Sequence, residues 1–226
     1  MMPQPIRLFH MTAIDNLVDI FRLGAIISKS SMDAQGISYQ NIAHTPIQTT
    51  RSAKLVPQPP GGYIHHYVPF YFAPRSPMLL AIHHGNVAGC MKKQDDIIHF
   101  ETTVERIGAE NAEFVFYDRN AALSYSKAHT DLKQLSTQIA WDLITETPQL
   151  DGFCKYFQDN PRIEKYVDRK AQRMAEFLVK NAVGIALITR IGVINEAKAK
   201  VVREYLEAAG IDLRVEVKPE WYFLGQ

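Results

Sequence analysis

The sequence has little cysteine, and the two that occur, Cys90 and Cys154, lie far apart. They fit neither a metal-binding nor a redox spacing, so no thiol chemistry is indicated. We expect both to be small core or surface residues in a reducing compartment.

Long hydrophobic runs are absent as well. No apolar stretch approaches the roughly 20 residues needed to span a bilayer. Residues 1–10 lack the charged head and the apolar run of a signal peptide. We therefore expect a cytoplasmic protein with no membrane partner.

Net charge and metal-ligand patterns are also scarce. The formal net charge is +1, so no global field favours nucleic acid, and a polyanion site would need a local basic patch. Seven of the eight histidines precede residue 100, but none forms an H-x3-H or H-E-x-x-H pattern. No metal site is expected.

What is present is the composition of an ordinary globular protein. With 226 residues, 46% hydrophobic and 22% charged, the chain can bury one sizeable core. No repeat, low-complexity tract or domain boundary is visible. The pattern predicts one α+β domain over residues 1–226.

Residues 168–179, which read DRKAQRMAEFLV, combine a basic cluster with a single carboxylate. Glu176 heads an apolar run, where it is placed to act as an acid or base. A helix with a solvated basic face would also account for these residue types. We favour a break near Gln172 and a strand from Ala175. The cations that precede this strand are Arg169, Lys170 and Arg173.

The first chemical motif is His10-Met-Thr12, which follows the strand-like residues 6–9. Apolar residues at helical spacing come next, and Gly24 ends that pattern. Thr12 and Asp15 have the spacing of a capping box. Free amides at such a helix start can face a nucleotide, although the motif alone is a weak signal.

Residues 28–62 form a long connection rich in Ser, Gln, Thr, Pro and Gly, which is typical of functional or mobile segments. Arg51 lies within it, and on residue type alone a surface arginine is favoured. Residues 67–72 are strongly β-forming, but Pro69 and Pro74 predict an edge or irregular strand. Arg75 follows in a turn, where it would bind a phosphate or form a salt bridge.

Together, and in this order, these segments resemble the DarT-type DNA ADP-ribosyltransferases, toxins of bacterial toxin–antitoxin pairs. The most specific match is the block VPFYFAPRSPM at residues 68–78. The other segments that carry the resemblance are FHMT at 9–12, Arg51, MAEFLV at 174–179 and WYF at 221–223.

The resemblance implies an ADP-ribosyltransferase-like α+β fold, in which a split, mainly antiparallel sheet flanked by helices clamps NAD. NAD would be consumed as a substrate without a metal, and its ADP-ribose would pass to thymine or guanine in single-stranded DNA. Glu176 and Arg51 are the implied catalytic residues. The implied NAD-binding residues are His10, Met11, Thr12, Tyr71 and Arg75. The cations expected to hold DNA phosphates are Arg169, Lys170, Arg173, Arg162 and Lys165.

The resemblance also implies an antitoxin partner, either a macrodomain or an unrelated hydrolase, and we expect a monomer. Three other functions remain open from the residues. An RNA 2′-phosphotransferase would place several arginines around a phosphate. An arginine-modifying transferase would carry Gln or Glu two residues before Glu176, where Met174 stands. A catalytically silent DNA-binding module would not need Glu176.

Overall fold

A central sheet of eight strands organises the chain, which a computed structural model describes over residues 2–225. The strands, in chain order, are β1 (Arg7–Ala13), β2 (Ala25–Ile27), β3 (Tyr67–Tyr71), β4 (Ile97–Thr103), β5 (Phe114–Tyr117), β6 (Ala128–His129), β7 (Gln149–Leu150), β8 (Phe153–Cys154), β9 (Glu176–Lys180), β10 (Ala182–Gly184), β11 (Arg190–Val193) and β12 (Val215–Val217). The large sheet has the order β12-β11-β4-β1-β3-β9-β5-β6, while β2 pairs with β10 and β7 with β8. All neighbouring strands of the large sheet are antiparallel except β11 and β12, which are parallel.

Short helices flank this sheet. They are α1 (Leu17–Leu23), α2 (Lys29–Ala34), α3 (Thr45–Ala53), α4 (Pro77–His84), α5 (Val104–Ala109), α6 (Leu135–Gln138), α7 (Trp141–Ile144), α8 (Arg169–Gln172) and α9 (Glu196–Ala209). Helix α9 packs against α1 and β12. Within residues 2–225, no helix has both the length and the apolar character needed to cross a membrane.

The helix predicted after Thr12 is confirmed, but its predicted cap is wrong. Gly24 ends α1 in the left-handed conformation at φ 65°, which glycine adopts without strain. At the other end, a 3-10 turn over Ile14–Asn16 precedes α1 and has no side-chain cap. Thr12 belongs to β1 and so does not cap the helix. Its hydroxyl accepts a hydrogen bond from Asn16 Nδ2 at 2.9 Å instead.

The large sheet is split between β1 and β3. Strand β1 pairs with β4 along its whole length, but it pairs with β3 only where Phe9 faces Tyr71. Pro69 has no N–H to donate, and its carbonyl accepts a hydrogen bond from His10 Nδ1 at 2.8 Å. The split, mainly antiparallel sheet predicted from the resemblance is therefore confirmed.

Two alternatives were predicted for residues 67–72, an edge strand or an irregular strand, and the edge position is wrong. Strand β3 lies between β1 and β9, and it pairs with β9 over all five residues. The proline effect is nevertheless visible, since the side of β3 that faces β1 is nearly unpaired. Proline thus marks the split and not the outer edge.

Aromatic side chains fill the core behind the strands that carry the site. Phe70, Phe116 and Phe177 are fully buried on adjacent strands, and Phe72 packs edge-on against Trp141 at 5.4 Å between ring centroids. Each fully buried side chain of this size contributes about 1.5–3 kcal/mol relative to exposure. This packing makes β3, β5 and β9 a rigid support.

The packing of Gly192 against Trp221 leads to a stability prediction. A Cβ at Gly192 would overlap a ring carbon of Trp221, which is fully buried and held by a 2.8 Å hydrogen bond from its Nε1 to Asp151. We expect Gly192→Ala to lower the free energy of unfolding by about 1–3 kcal/mol or more, measured by urea denaturation. Gly184→Ala is the matched control, because nothing lies within 4 Å of the position that its added methyl group would take. Equal stability of the two variants would contradict this packing.

Candidate active site

The split in the sheet opens into two adjoining cavities of about 550 Å³ and 170 Å³. Their volumes lie in the range of ligand sites when the two are taken as one cleft. Both cavities are lined by residues from β1, α3 and β3. The shared lining residues are His10, Met11, Ala43, Gln48, Arg51, Pro69 and Met78.

Glu176 is the first residue of β9 and lines the larger cavity. Its side chain is fully buried, so its oxygens need partners inside the protein. Oε1 accepts hydrogen bonds from Arg51 Nη1 at 3.1 Å and from the Ala121 backbone N–H at 3.1 Å. Oε2 accepts from Arg51 Nη1 at 2.9 Å. The predicted break near Gln172 and the following strand are confirmed, since α8 ends at Gln172 and β9 begins at Glu176.

Arg51 does not lie on an irregular surface loop. It lies in the last turn of α3, within the connection over residues 28–62, and its side chain is buried. Its guanidinium meets a carboxylate that is 125 residues away in the sequence. A buried ion pair of this kind is stable only with good geometry, and removal of one partner costs about 3–5 kcal/mol.

Two tyrosines flank Glu176 across the sheet, because Tyr71 on β3 and Tyr117 on β5 are its register partners. Burial, aided by the nearby Glu176 carboxylate, raises the pKa of Tyr71 and raises the pKa of Tyr117 to about 12. Both phenols are therefore neutral at pH 7. They are able to donate hydrogen bonds there but not to act as bases.

His10 faces both cavities from β1. Burial lowers the pKa of His10 to about 4, and the hydrogen bond to Pro69 opposes this only in part. The imidazole is thus neutral at pH 7. Since a carbonyl oxygen only accepts, Nδ1 carries the proton and Nε2 presents a lone pair, which suits a sugar hydroxyl.

The buried histidines lead to a pH prediction. Burial also lowers the pKa of His99 to about 3, while an unfolded histidine titrates near pKa 6.5. Below that pH the unfolded chain binds protons that the folded chain does not, so stability falls as the pH drops from 6.5 towards 4. We expect unfolding free energies at pH 5 to be lower than at pH 7 by on the order of 1–2 kcal/mol per histidine. His10→Asn should flatten this dependence in urea titrations, and an identical slope in the variant would contradict it.

The family follows from a direct comparison. A family model described as DarT, ssDNA thymidine ADP-ribosyltransferase, matches residues 9–223. The chain belongs to the DarT family. The resemblance predicted from the sequence motifs is thereby confirmed.

Individual DarT relatives match nearly the whole chain. A DNA ADP-ribosyl transferase of Thermus sp. (strain 2.9) is 34% identical over 225 residues, which cover 98% of both chains. One of Escherichia coli O127:H6 is 27% identical over 221 residues, which cover 98% of this chain and 95% of the relative. The structure of Thermus sp. 2.9 DarT in complex with ADP-ribosylated ssDNA matches with a TM-score of 0.85 at 33% identity, covering 98% of each chain. Its complex with NAD+ matches with a TM-score of 0.82 at 32% identity, covering 99% of this chain and all of the other.

Four of the five predicted NAD-binding residues lie at the DarT cleft. His10 and Met11 line both cavities, Thr12 lines the smaller one and Tyr71 the larger one. Arg75 is absent from both sets of lining residues. It is buried, and its guanidinium carbon lies 4.5 Å from the ring centroid of Phe223. In this structure Arg75 is thus part of the core and not of the cleft.

The predicted DNA-binding cations divide into two groups. Arg169 and Arg173 are buried, contrary to the solvated basic face that the residue types suggest. Arg173 donates to the backbone carbonyls of Ile144 and Cys154 at 3.1 and 3.2 Å, and burial lowers its pKa to about 10. Arg169 pairs with Glu146 at 2.6 Å. These two arginines hold the segment before β9 in place instead of facing a phosphate.

The other three cations are exposed. Lys170 lines the larger cavity, whereas Arg162 and Lys165 do not. Lys165 pairs with Glu146 at 2.7 Å, so part of its charge is already compensated. Of the five, Lys170 is therefore the one that the fold brings to the cleft.

Sequence reasoning missed the connection between β5 and β6, over residues 118–127. This connection donates the Ala121 N–H to Glu176, and it accepts two hydrogen bonds from Lys54 Nζ. These go to the Leu123 carbonyl at 2.6 Å and to Ser126 Oγ at 2.8 Å. Lys54 directly follows α3 and so ties the helix that carries Arg51 to the loop that contacts Glu176. The residue types predict a turn at residues 118–120 and a short helix over residues 121–127, and the helix is wrong, because none of the described residues between β5 and β6 is helical. A backbone N–H has no signature of its own in the sequence.

Possible metal ligands do not gather at this cleft or elsewhere in the described residues. Within residues 2–225, no group of three or more His, Cys, Asp and Glu side chains is placed to hold a metal ion.

Proposed function

We propose that this chain transfers the ADP-ribose of NAD to a thymine base of single-stranded DNA and releases nicotinamide. The observation that carries the proposal is the buried Glu176–Arg51 pair at the wall of the cleft opened by the split sheet. Membership of the DarT family, described as thymidine-modifying, favours thymine over guanine. The Thermus relative that binds NAD+ and ADP-ribosylated ssDNA supports both substrates.

Glu176 stabilises the positive charge that develops on the ribose as its bond to nicotinamide breaks. A fixed carboxylate in a cleft shielded from water acts strongly on such an oxocarbenium-like centre. The bond that forms joins the ribose carbon to N3 of thymine, and the proton of N3 must leave. Glu176 lines the cavity and is the carboxylate that would take it.

Arg51 serves as a fixed positive charge and not as a base. A guanidinium stays protonated in proteins, so it has no site to accept the N3 proton. It holds Glu176 in position in the free protein. Its charge would stabilise the deprotonated base or a phosphate.

The remaining cleft residues fit NAD by their chemistry. The Nε2 lone pair of His10 suits a ribose hydroxyl, and the Met11 backbone and the Thr12 hydroxyl lie beside it on β1. The partly exposed ring of Tyr71 suits an aromatic ring such as nicotinamide. Lys170 would hold a DNA phosphate at the opening of the cleft.

The alternative acceptors have less support. Arg51 is the single arginine among the lining residues of the two cavities, whereas recognition of an RNA 2′-phosphate would need several. Met174 lines the cavity two residues before Glu176, where an arginine-modifying enzyme would use a polar group. The residues that line the cleft therefore support neither alternative acceptor.

We also propose the biological setting that the family implies. The chain would be a toxin, and its partner an antitoxin that removes or blocks the DNA modification. A single catalytic domain fits a large sheet whose strands run from Arg7 to Val217.

Mass spectrometry of short oligonucleotides tests the reaction directly. Single-stranded DNA and RNA oligomers that represent every base are incubated with NAD and with wild-type or Glu176→Gln protein. We expect one ADP-ribose on thymine of DNA, absent in the variant. Addition to guanine would show that the modified base is guanine and not thymine. Consumption of NAD without any oligomer product would move the acceptor to protein or water and would refute the proposal.

A further inference from the structure

Tyr125 is an exposed aromatic residue at the cleft that none of the roles above uses. It lies on the connection between β5 and β6, and 52% of its surface is exposed. It nevertheless lines the larger cavity, together with Glu176, Arg51 and Lys170. A large exposed aromatic side chain beside a catalytic carboxylate points to a binding role, whereas a single one on an open surface does not.

The ring of Tyr125 is held in place by charged neighbours. The Arg119 guanidinium carbon lies 5.1 Å from the ring centroid, a cation–π distance. The phenol hydroxyl donates to Asp168 Oδ1 at 3.3 Å, and Arg119 Nη1 pairs with Asp168 Oδ2 at 3.2 Å. Arg119 is further fixed by Asp118 at 3.4 Å. These contacts restrict the ring while half of it stays accessible.

The same loop is anchored to the catalytic carboxylate. Ala121, four positions before Tyr125, donates its N–H to Glu176 Oε1 at 3.1 Å. Lys54 binds the Leu123 carbonyl between them. The position of the ring relative to Glu176 is therefore set by these hydrogen bonds along the loop.

The charges around Tyr125 select which part of a nucleic acid can face it. Asp159 and Asp168 line the same cavity, and the guanidinium at the ring, Arg119, is already paired with Asp118 and Asp168, so the charges beside the ring do not favour a phosphodiester backbone. A base carries no such charge, and each base has a π face that stacks on an aromatic ring. In a duplex both faces of a base are already stacked, so only an unpaired strand can offer one.

We propose that Tyr125 is a stacking platform for a base of the single strand that is modified. The ring of Tyr125 would hold the DNA strand through one of its bases, while Lys170 would hold a phosphate of the DNA backbone. This inference rests on the proposed transfer to single-stranded DNA, and it adds a binding residue for the acceptor strand.

Initial rates at saturating NAD, measured against oligonucleotide concentration, test the platform. We expect Tyr125→Ala to raise the KM for a thymine-containing oligomer about 5- to 150-fold, the range for loss of one base–aromatic stack. Tyr125→Phe keeps the ring and should stay close to wild type. The dissociation constant for NAD, measured by calorimetry, should be unchanged in both. Tyr63→Ala is the matched control, because Tyr63 is 42% exposed and lines neither cavity.

Three outcomes overturn the platform. The first is an unchanged KM in Tyr125→Ala. The second is an equal effect of Tyr125→Phe, which would assign the role to the hydroxyl bond with Asp168. The third is a parallel loss of NAD affinity, which would place Tyr125 on the donor side. If wild type modifies no oligomer at all, the proposed function itself fails, which is distinguishable from each of these.

Discussion

We expect Glu176→Gln to lower the transfer of ADP-ribose to single-stranded DNA by at least about 10²- to 10³-fold, the loss seen when a group that stabilises transition-state charge is removed. The substitution keeps the shape of the side chain but removes its negative charge. The developing charge on the ribose then has no counter-charge, and the carboxamide cannot take the N3 proton.

The change also affects stability, which has to be measured separately from the chemistry. Oε1 of Glu176 accepts from both Arg51 Nη1 and the Ala121 N–H, and glutamine retains one such oxygen. The amide NH2 that replaces Oε2 faces the donor Arg51 Nη1, so this contact is lost and the buried guanidinium is left without a counter-ion, which costs about 3–5 kcal/mol. We therefore expect a lower free energy of unfolding in urea, and circular dichroism shows whether the variant is folded under the assay conditions.

Single-turnover mass spectrometry of product on a thymine oligomer measures the effect. Glu204→Gln on α9 is the matched control, because it makes the same chemical change at an exposed site. A folded Glu176→Gln protein with wild-type turnover would return the chain to the hypothesis of a silent DNA-binding module.

Arg51→Ala should have the second-largest effect, because it removes a charge from the cleft and leaves Glu176 buried without its counter-ion. We expect a loss of about 10²-fold or more in turnover, together with a stability loss of about 3–5 kcal/mol from the broken buried pair. Urea denaturation and single-turnover rates measure the two losses separately.

Arg51→Lys distinguishes charge from guanidinium geometry. Lysine keeps the positive charge but loses the planar guanidinium, so its activity should lie between that of wild type and Arg51→Ala. Arg214→Lys is the matched control, since that side chain is 73% exposed. A lysine variant as inactive as the alanine variant, at intact stability, would show that charge alone is not what Arg51 supplies.

The arginines show how far residue types lead without a structure. Residue type alone favours a surface position for Arg51 and a basic face for Arg169 and Arg173, yet all three are buried. An arginine is buried only where distant groups satisfy it. For Arg173 these groups are carbonyls 19 and 29 residues away, and for Arg51 a carboxylate 125 residues away. Local periodicity contains no information about such partners.

By itself, the sequence determined the features that depend on neighbouring residues. These include the end of α1 at Gly24, the change from helix to strand before Glu176, the His10-Met-Thr12 strand and the family itself. Each follows from backbone preference, local apolar period or the order of short motifs.

The tertiary structure alone decided what meets at the cleft. It placed Arg51 on Glu176, brought the Ala121 N–H to the same carboxylate, opened the sheet beside Pro69 and set Tyr125 at the cavity. The physical reason is that these contacts join segments far apart in the chain. They form only when burial of the shared core brings the strands together, and a backbone donor such as Ala121 leaves no trace in the residue types.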